Sequence, residues 1–476
     1  MSYKNSLKIN FIMNAILTAS SFIFPLITFP YISRILLPEG TGKVAFVTSI
    51  ISYFSMIAML GIPTYGIRAC AQVRDNREKL SKIVHEIFFI NFFMTIIVYG
   101  LFFVFLFFLP QFRQEKVLYL ICSSTILFNL LGMEWLYKAL EEYRYITVRS
   151  VIFKFLSVLL MFLLVHEQSD YKIYSAITVL AGVGSNIINF INARKYIAFK
   201  YSGPYNYTRH LKPIFTFFTL SITTTVYTNL DITMLGFMQS ELSVGYYNSA
   251  VKIKNILTAL VTSLSSVLLP RSAYYVEKNL KNEFMSLANK ALRFVTLISF
   301  PLCIYFISMA KESILFLSGT AFTGSIRPMQ FIMPTIIFIG FTNIIGIQLL
   351  VPLGKEKLVL YSTFMGSIID TIANALLIPR LAASGAALGT LIAEFTVLIM
   401  QLLFIRNFIK DLVKNMQLYK ILLSLLFSSL SLAVIKIVST GILFTDLVIT
   451  ATVFFGIYFL CITKIFHYNF NSDKTR

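Results

Sequence analysis

The chain is 476 residues long, 57% hydrophobic and only 13% charged, with a formal net charge of +20 and a mean hydropathy of +0.77. That balance lies far outside the range of soluble domains, and no long polar segment leaves room for a separate aqueous domain. Apolar runs of about 18 or more residues, long enough to cross the hydrocarbon core as helices, recur from Asn10 almost to the last residue.

In chain order the hydropathy pattern predicts about fourteen helices, and hence an all-α polytopic membrane protein. The expected spans are 10–33, 43–63, 84–109, 116–137, 147–166, 172–192 and 213–238, then 244–268, 291–310, 328–351, 357–378, 383–405, 418–438 and 441–463. The second and eighth can continue past Pro63 and Pro270, because proline inside a membrane helix often only kinks it. The short basic N-terminus runs into an apolar stretch with no small-residue cleavage site, so a retained first helix is expected.

Lys and Arg sit mostly in every second connector. One set includes Lys4, Arg68, Arg74, Arg77, Lys138, Arg144, Arg194, Arg209, Arg271, Lys355, Arg406 and Lys474; the other includes Arg34, Lys43, Arg113, Lys172, Lys311, Arg327 and Arg380. The split is about 29 against 9, and the excess of basic residues on the inner side places both termini in the cytoplasm. The positive charge is therefore a topology signal and a solvated inner face, with attraction to anionic headgroups or a phosphate-bearing substrate as a second reading. It gives no reason to expect a nucleic-acid partner.

Two segments repeat loosely. Pro38-Glu-Gly-Thr-Gly42 precedes the second helix, which ends near Pro63; Glu241-Leu-Ser-Val-Gly245 precedes the eighth, which ends near Pro270. The pattern implies two six-helix bundles related by a pseudo-twofold axis along the membrane normal. The domain expectation is 1–200, 201–412, and an extra helix pair with a cytoplasmic tail over 413–476.

Several charges fall inside expected spans: Lys154, Asp231, Lys252, Lys254, Asp370 and Glu394, with Glu134 near a helix end. An ionisable group at bilayer depth costs at least about 2.5–3.5 kcal/mol, so it faces a cavity or a partner. Asp231 and Lys252 sit at matching depths on successive helices and could pair, and Lys154 could snorkel or meet Glu134. Gly385-Ala-Ala-Leu-Gly389 is a small-residue pattern suited to close helix packing. The cysteines and histidines share no metal-ligand spacing. No P-loop, nucleophile elbow or carboxylate cluster appears, so neither an enzyme nor a cofactor is expected.

Several segments resemble the polysaccharide (Wzx-type, O-antigen/capsule) flippase family of the multidrug/oligosaccharidyl-lipid/polysaccharide exporter superfamily. They are Pro25-Leu-Ile-Thr-Phe-Pro-Tyr-Ile-Ser-Arg34, Gly61-Ile-Pro-Thr-Tyr-Gly-Ile-Arg68, Glu134-Trp135 with Glu141 and Arg144, Asn229-Leu-Asp231, and Val244-Gly-Tyr-Tyr-Asn-Ser-Ala-Val-Lys252-Ile-Lys254. The resemblance implies a bacterial inner-membrane flippase moving undecaprenyl-pyrophosphate-linked oligosaccharide outward by alternating access. A polymerase and a chain-length regulator would be its possible partners. It also implies Arg34, Arg68, Lys252 and Lys254 for headgroup contact, since fixed cations offset the desolvation of a pyrophosphate. Asp231, Asp370 and Glu394 are the candidates for ion or proton coupling. The alternatives are a drug or cation antiporter of the same superfamily, which would want a carboxylate-dominated cavity, and a membrane polymerase, which would want a long outer loop.

Overall fold

The computed structural model describes residues 7–199, 203–406, 408, 417–435 and 441–465, and the described residues contain helices and no strand. The chain divides into two compact units, Met1–Thr233 and Met234–Arg476. The expected boundary at 200/201 and the tail beyond 465 lie outside the described residues.

The first unit holds α1 (Leu7–Met59), α2 (Ile62–Ala71), α3 (Arg77–Phe108), α4 (Pro110–Gln114), α5 (Lys116–Gly132), α6 (Glu134–Ala139), α7 (Tyr143–Leu164), α8 (Tyr171–Val179), α9 (Asn186–Asn192) and most of α10 (Thr208–Met238). The expected loop at 34–42 is instead a single-residue break inside α1, at Leu37 with φ 58° and ψ 178°. The next residue is Pro38, whose ring drives its predecessor out of the helical region.

Three further interruptions shape this unit. Gly61 has φ 75° and separates α1 from α2. A Cβ there would sit 2.5 Å from the backbone nitrogen of Phe218 in α10, so both the turn and the close approach require glycine. Met133, at φ 39°, separates α5 from α6. The Gly132 carbonyl left at that break accepts from Asn189 Nδ2 at 2.6 Å, and Tyr137 Oη donates to the Asn189 carbonyl at 2.5 Å. The third is a π-helical turn, Leu180–Gly184, between α8 and α9. Broken backbone at membrane depth survives only where protein partners or a cavity wall satisfy it.

The second unit holds α11 (Glu241–Glu277), α12 (Lys281–Ser308), α13 (Ala310–Ser318), α14 (Ile326–Ile332), α15 (Thr335–Asn343), α16 (Glu356–Leu381), α17 (Ala383–Phe404), α18 (Leu418–Ile435) and α19 (Leu443–Leu460). Helix α11 continues past Pro270 with a 41° bend. Gln348 straddles that bend, donating to the Ser265 carbonyl and accepting from Ser272 Oγ at 3.0 Å. Helices α16 and α17 form a hairpin turned at Ala382, φ 46°. Any Cβ on Gly385 would collide with the Leu377 carbonyl, so the glycine pattern serves close packing. The extra pair α18 and α19 packs on α12 through Tyr305, Leu425 and Phe454. Tyr305 Oη donates to the Leu447 carbonyl at 2.9 Å, and Tyr458 Oη to the Leu297 carbonyl at 3.1 Å.

Each expected span falls on helical backbone, with 436–438 outside the described residues. Among the described residues, ten helices are long and apolar enough to cross a membrane, or twelve when two bent pairs are counted. The remaining difference from fourteen has physical causes. Ile12–Ala71 counts once although Leu37 breaks it, and α10 is too rich in Ser, Thr and Asn to qualify.

Candidate functional site

The first unit encloses a cavity of about 620 Å³. Its walls come from α1, α5, α8 and α10, and one end is made by the broken helices. Gly61 and Pro63, Gly132, Glu134 and Trp135, and Gly182, Val183 and Asn186 all line it. The interruptions thus meet at one place, the kind of site where irregular backbone within a membrane protein is tolerated.

The walls set hydroxyl and amide side chains among apolar ones such as Ile51, Met56 and Val179, with one charged pair. Helix α10 presents Ser221, Thr225 and Asn229, four residues apart and therefore on one face. Helix α1 contributes Thr48, Ser52 and Ser55, and α5 contributes Thr125 and Asn129. Some of the wall's protons are used within the protein. Ser52 Oγ donates to the Thr48 carbonyl at 2.8 Å, Thr178 Oγ1 to the Tyr174 carbonyl at 2.9 Å, and Ser221 Oγ to the Phe217 carbonyl at 3.2 Å. Asn129 Nδ2 donates to Ser55 Oγ at 3.0 Å, and Asn229 Nδ2 to the Thr225 carbonyl at 3.0 Å. A hydroxyl that has given its proton keeps lone pairs, and an amide with one N–H engaged keeps its oxygen and its second N–H. The lining therefore offers both acceptors and donors. The charged lining residues, Glu134 and Lys138, form an ion pair at 3.0 Å.

None of the seven residues expected to contact the headgroup or couple an ion lines this cavity, whereas Glu134, expected near a helix end, does. Arg34 and Arg68 are exposed in the first unit, and Arg34 Nη1 donates to the Pro30 carbonyl of its own helix at 2.5 Å. Asp231 is buried near the end of that unit. Lys252 and Lys254 are half-buried on α11, in the second unit. Asp370 is buried on the face of α16 that meets Gly389, and Glu394 is buried on α17. Lys154 does not meet Glu134. Its Nζ donates to Ser20 Oγ at 2.8 Å and Ser21 Oγ at 2.9 Å, both on α1.

Sequence reasoning missed a charged cluster in the same unit. Glu86 on α3 is fully buried. Its carboxylate accepts from the Asn206 backbone N–H at 2.7 Å and from Arg209, and lies 2.7 Å from His210 Nε2. On the other side of the ring, His210 Nδ1 is 2.6 Å from Tyr65 Oη on α2. Arg149, at the start of the expected span 147–166, is also buried, with its guanidinium over the Tyr145 ring. Among the described residues no group of His, Cys, Asp and Glu could hold a metal.

A polytopic helical bundle with a polar chamber inside one unit defines a membrane transport-type fold rather than a soluble catalytic domain. The model of the polysaccharide biosynthesis protein family matches residues 7–276, and the chain belongs to that family. It is 24% identical over 407 residues to the Escherichia coli (strain K12) protein named "Putative O-antigen transporter", covering 85% of this chain and 98% of the relative. Its fold is similar to that of the Lipid II flippase MurJ in an inward closed conformation, with a TM-score of 0.77 at 17% identity, covering 96% of this chain and 99% of that one. It is also similar to an inward-facing multidrug resistance MATE family transporter of the MOP superfamily, with a TM-score of 0.57 at 14% identity over 85% and 99%.

Proposed function

We propose that this protein is a flippase, not an enzyme, which carries undecaprenyl-pyrophosphate-linked oligosaccharide from the cytoplasmic to the outer leaflet by alternating access. The observation that carries the reading is a polar cavity walled by membrane helices in a member of the polysaccharide biosynthesis family. Such a cavity gives a hydrophilic headgroup an environment that hydrocarbon cannot. The relative named as an O-antigen transporter and the flippase fold support the same reading. The location is the bacterial inner membrane, with both termini cytoplasmic as the basic residues imply. Polymerase and chain-length regulator proteins are the partners.

In this reading Arg34, Arg68, Lys252 and Lys254 contact the pyrophosphate, while Asp231, Asp370 and Glu394 serve ion coupling. The test is flipping of extracted pyrophosphate-linked glycolipid in vesicles holding the full chain. Wild type should outpace protein-free vesicles, and Lys252→Ala should slow it about tenfold or more, the equivalent of one charge-assisted hydrogen bond. Wild-type vesicles no faster than empty ones would refute the flippase. An unaltered Lys252→Ala rate would remove that lysine from the headgroup site.

A further inference from the structure

We infer that the chamber of the first unit is a glycan-recognition site, which takes the uncharged sugars of the substrate while the phosphates are held elsewhere. The inference rests on the flippase reading above and adds to it a division of labour. The chemistry of the wall decides the ligand. Ser52, Thr178 and Ser221 donate to carbonyls of their own helices, and Asn129 uses one amide N–H on Ser55, which leaves the wall both hydroxyl and amide donors and lone pairs. A pyrophosphate offers only acceptors and calls for fixed cations, whereas sugar hydroxyls and N-acetyl groups both donate and accept and so match a wall of hydroxyls and amides.

Charge agrees with this. The single basic lining residue, Lys138, is paired with Glu134 at 3.0 Å. Shape agrees as well. The only tryptophan of the chain, Trp135, stands at the broken-helix end of the chamber, one side of its indole resting on Gly66, where a Cβ would come within 2.7 Å of the ring. Trp135 is 4% exposed and belongs to the same buried cluster as Ile62 and Leu136, so its indole closes that end of the chamber and borders the ligand space without offering a free face. A volume of about 620 Å³ suits a small-molecule pocket of roughly 300–1,000 Å³. It admits a short oligosaccharide and not a polyprenyl chain. The same acceptors would also attract an organic cation, so the experiment needs a cationic arm.

Because Trp135 is the sole tryptophan, its emission reports directly on the chamber. The full chain in phospholipid nanodiscs would be titrated with three probes: pyrophosphate-linked glycolipid extracted from the source membranes, undecaprenyl pyrophosphate, and tetraphenylphosphonium. The glycolipid should change the emission, and the other two should not. Asn129→Leu and Asn229→Leu should each weaken glycolipid binding about tenfold, and the isosteric Thr225→Val a few-fold, with binding of undecaprenyl pyrophosphate unchanged. An equal response to the sugar-free lipid, a response to the cation alone, or unaltered glycolipid affinity in all three variants would overturn the inference. The two readings fail separately. If wild type flips the glycolipid while Trp135 stays silent and the variants flip normally, the chamber assignment falls and the flippase stands. If glycolipid binds in the chamber and no flipping occurs, the reverse holds.

Discussion

Ser52 in the chamber donates to Thr48, a residue one turn away on its own helix, whereas Glu86 reaches Asn206, Arg209 and His210 more than 100 residues further along the chain. Both are polar groups in the first unit of a membrane protein, yet their hydrogen bonds do different work. In the chamber the bonds from Ser52, Thr178 and Ser221 close on their own helices, while Asn129 reaches across to Ser55, so the wall holds without a ligand and is open to one. At the Glu86 cluster the bonds of the carboxylate and of Tyr65 join separate elements: α2 through Tyr65, α3 through Glu86, the first turn of α10 through Arg209 and His210, and the segment before it through Asn206. The first arrangement should contribute little to stability and much to binding, and the second the reverse.

The largest effect expected from this contrast is that of Glu86→Ala. Breaking a buried ion pair costs about 3–5 kcal/mol because the remaining partner is left uncompensated. The Arg209 side chain is 42% exposed and can turn to water, which places the loss near the lower limit, at about 3 kcal/mol. Thermal unfolding in detergent should register it as a clear drop in midpoint. A drop no larger than that of a surface substitution would mean the cluster does not hold α3 to the start of α10.

Next in size is Tyr65→Phe, which keeps the ring and removes only the hydroxyl that meets His210 Nδ1 at 2.6 Å. His210 is 2% exposed, so its nitrogen cannot find water instead. An orphaned buried group costs about 1–3 kcal/mol, and the loss should be at the low end since the nitrogen is neutral when unprotonated. Combined with Glu86→Ala, the effect should be less than additive, because both act through the same imidazole. Strict additivity in the double variant would show that the three side chains are not one network.

The contrast also explains what could be read from the sequence. Membrane-crossing helices are a local, additive signal, and every expected span falls on helix because about twenty apolar residues carry their own evidence. The break at Leu37 was hidden in plain view, in the proline that follows it. The break at Met133 was not, since it is stabilised by Asn189, far along the chain. Charge at bilayer depth is a criterion that passes over the Ser and Thr of the chamber wall, whereas Asn129, Asn186 and Asn229, which inside expected spans read as lumen-lining or helix-bridging, do line it. The available clue was Ser221, Thr225 and Asn229 at intervals of four, together with the low apolarity that keeps α10 from qualifying as a span. The Glu86 cluster had no such clue, because Glu86 stands at the edge of an expected span and its partners lie in a connector.

The smallest effect on stability belongs to the chamber wall, and it separates the two arrangements most sharply. Ser52→Ala removes a hydroxyl whose bond closes on its own helix, 2.8 Å from the Thr48 carbonyl. That carbonyl is free to keep its ordinary backbone bond, and alanine is the better helix former. The melting midpoint should therefore stay within about 0.5 kcal/mol of wild type, while glycolipid affinity in the nanodisc titration falls. If Ser52→Ala instead unfolds the protein as readily as Tyr65→Phe, the chamber wall is a packing interface like the Glu86 cluster. Its hydroxyls would then be structural, with no spare lone pairs for a ligand.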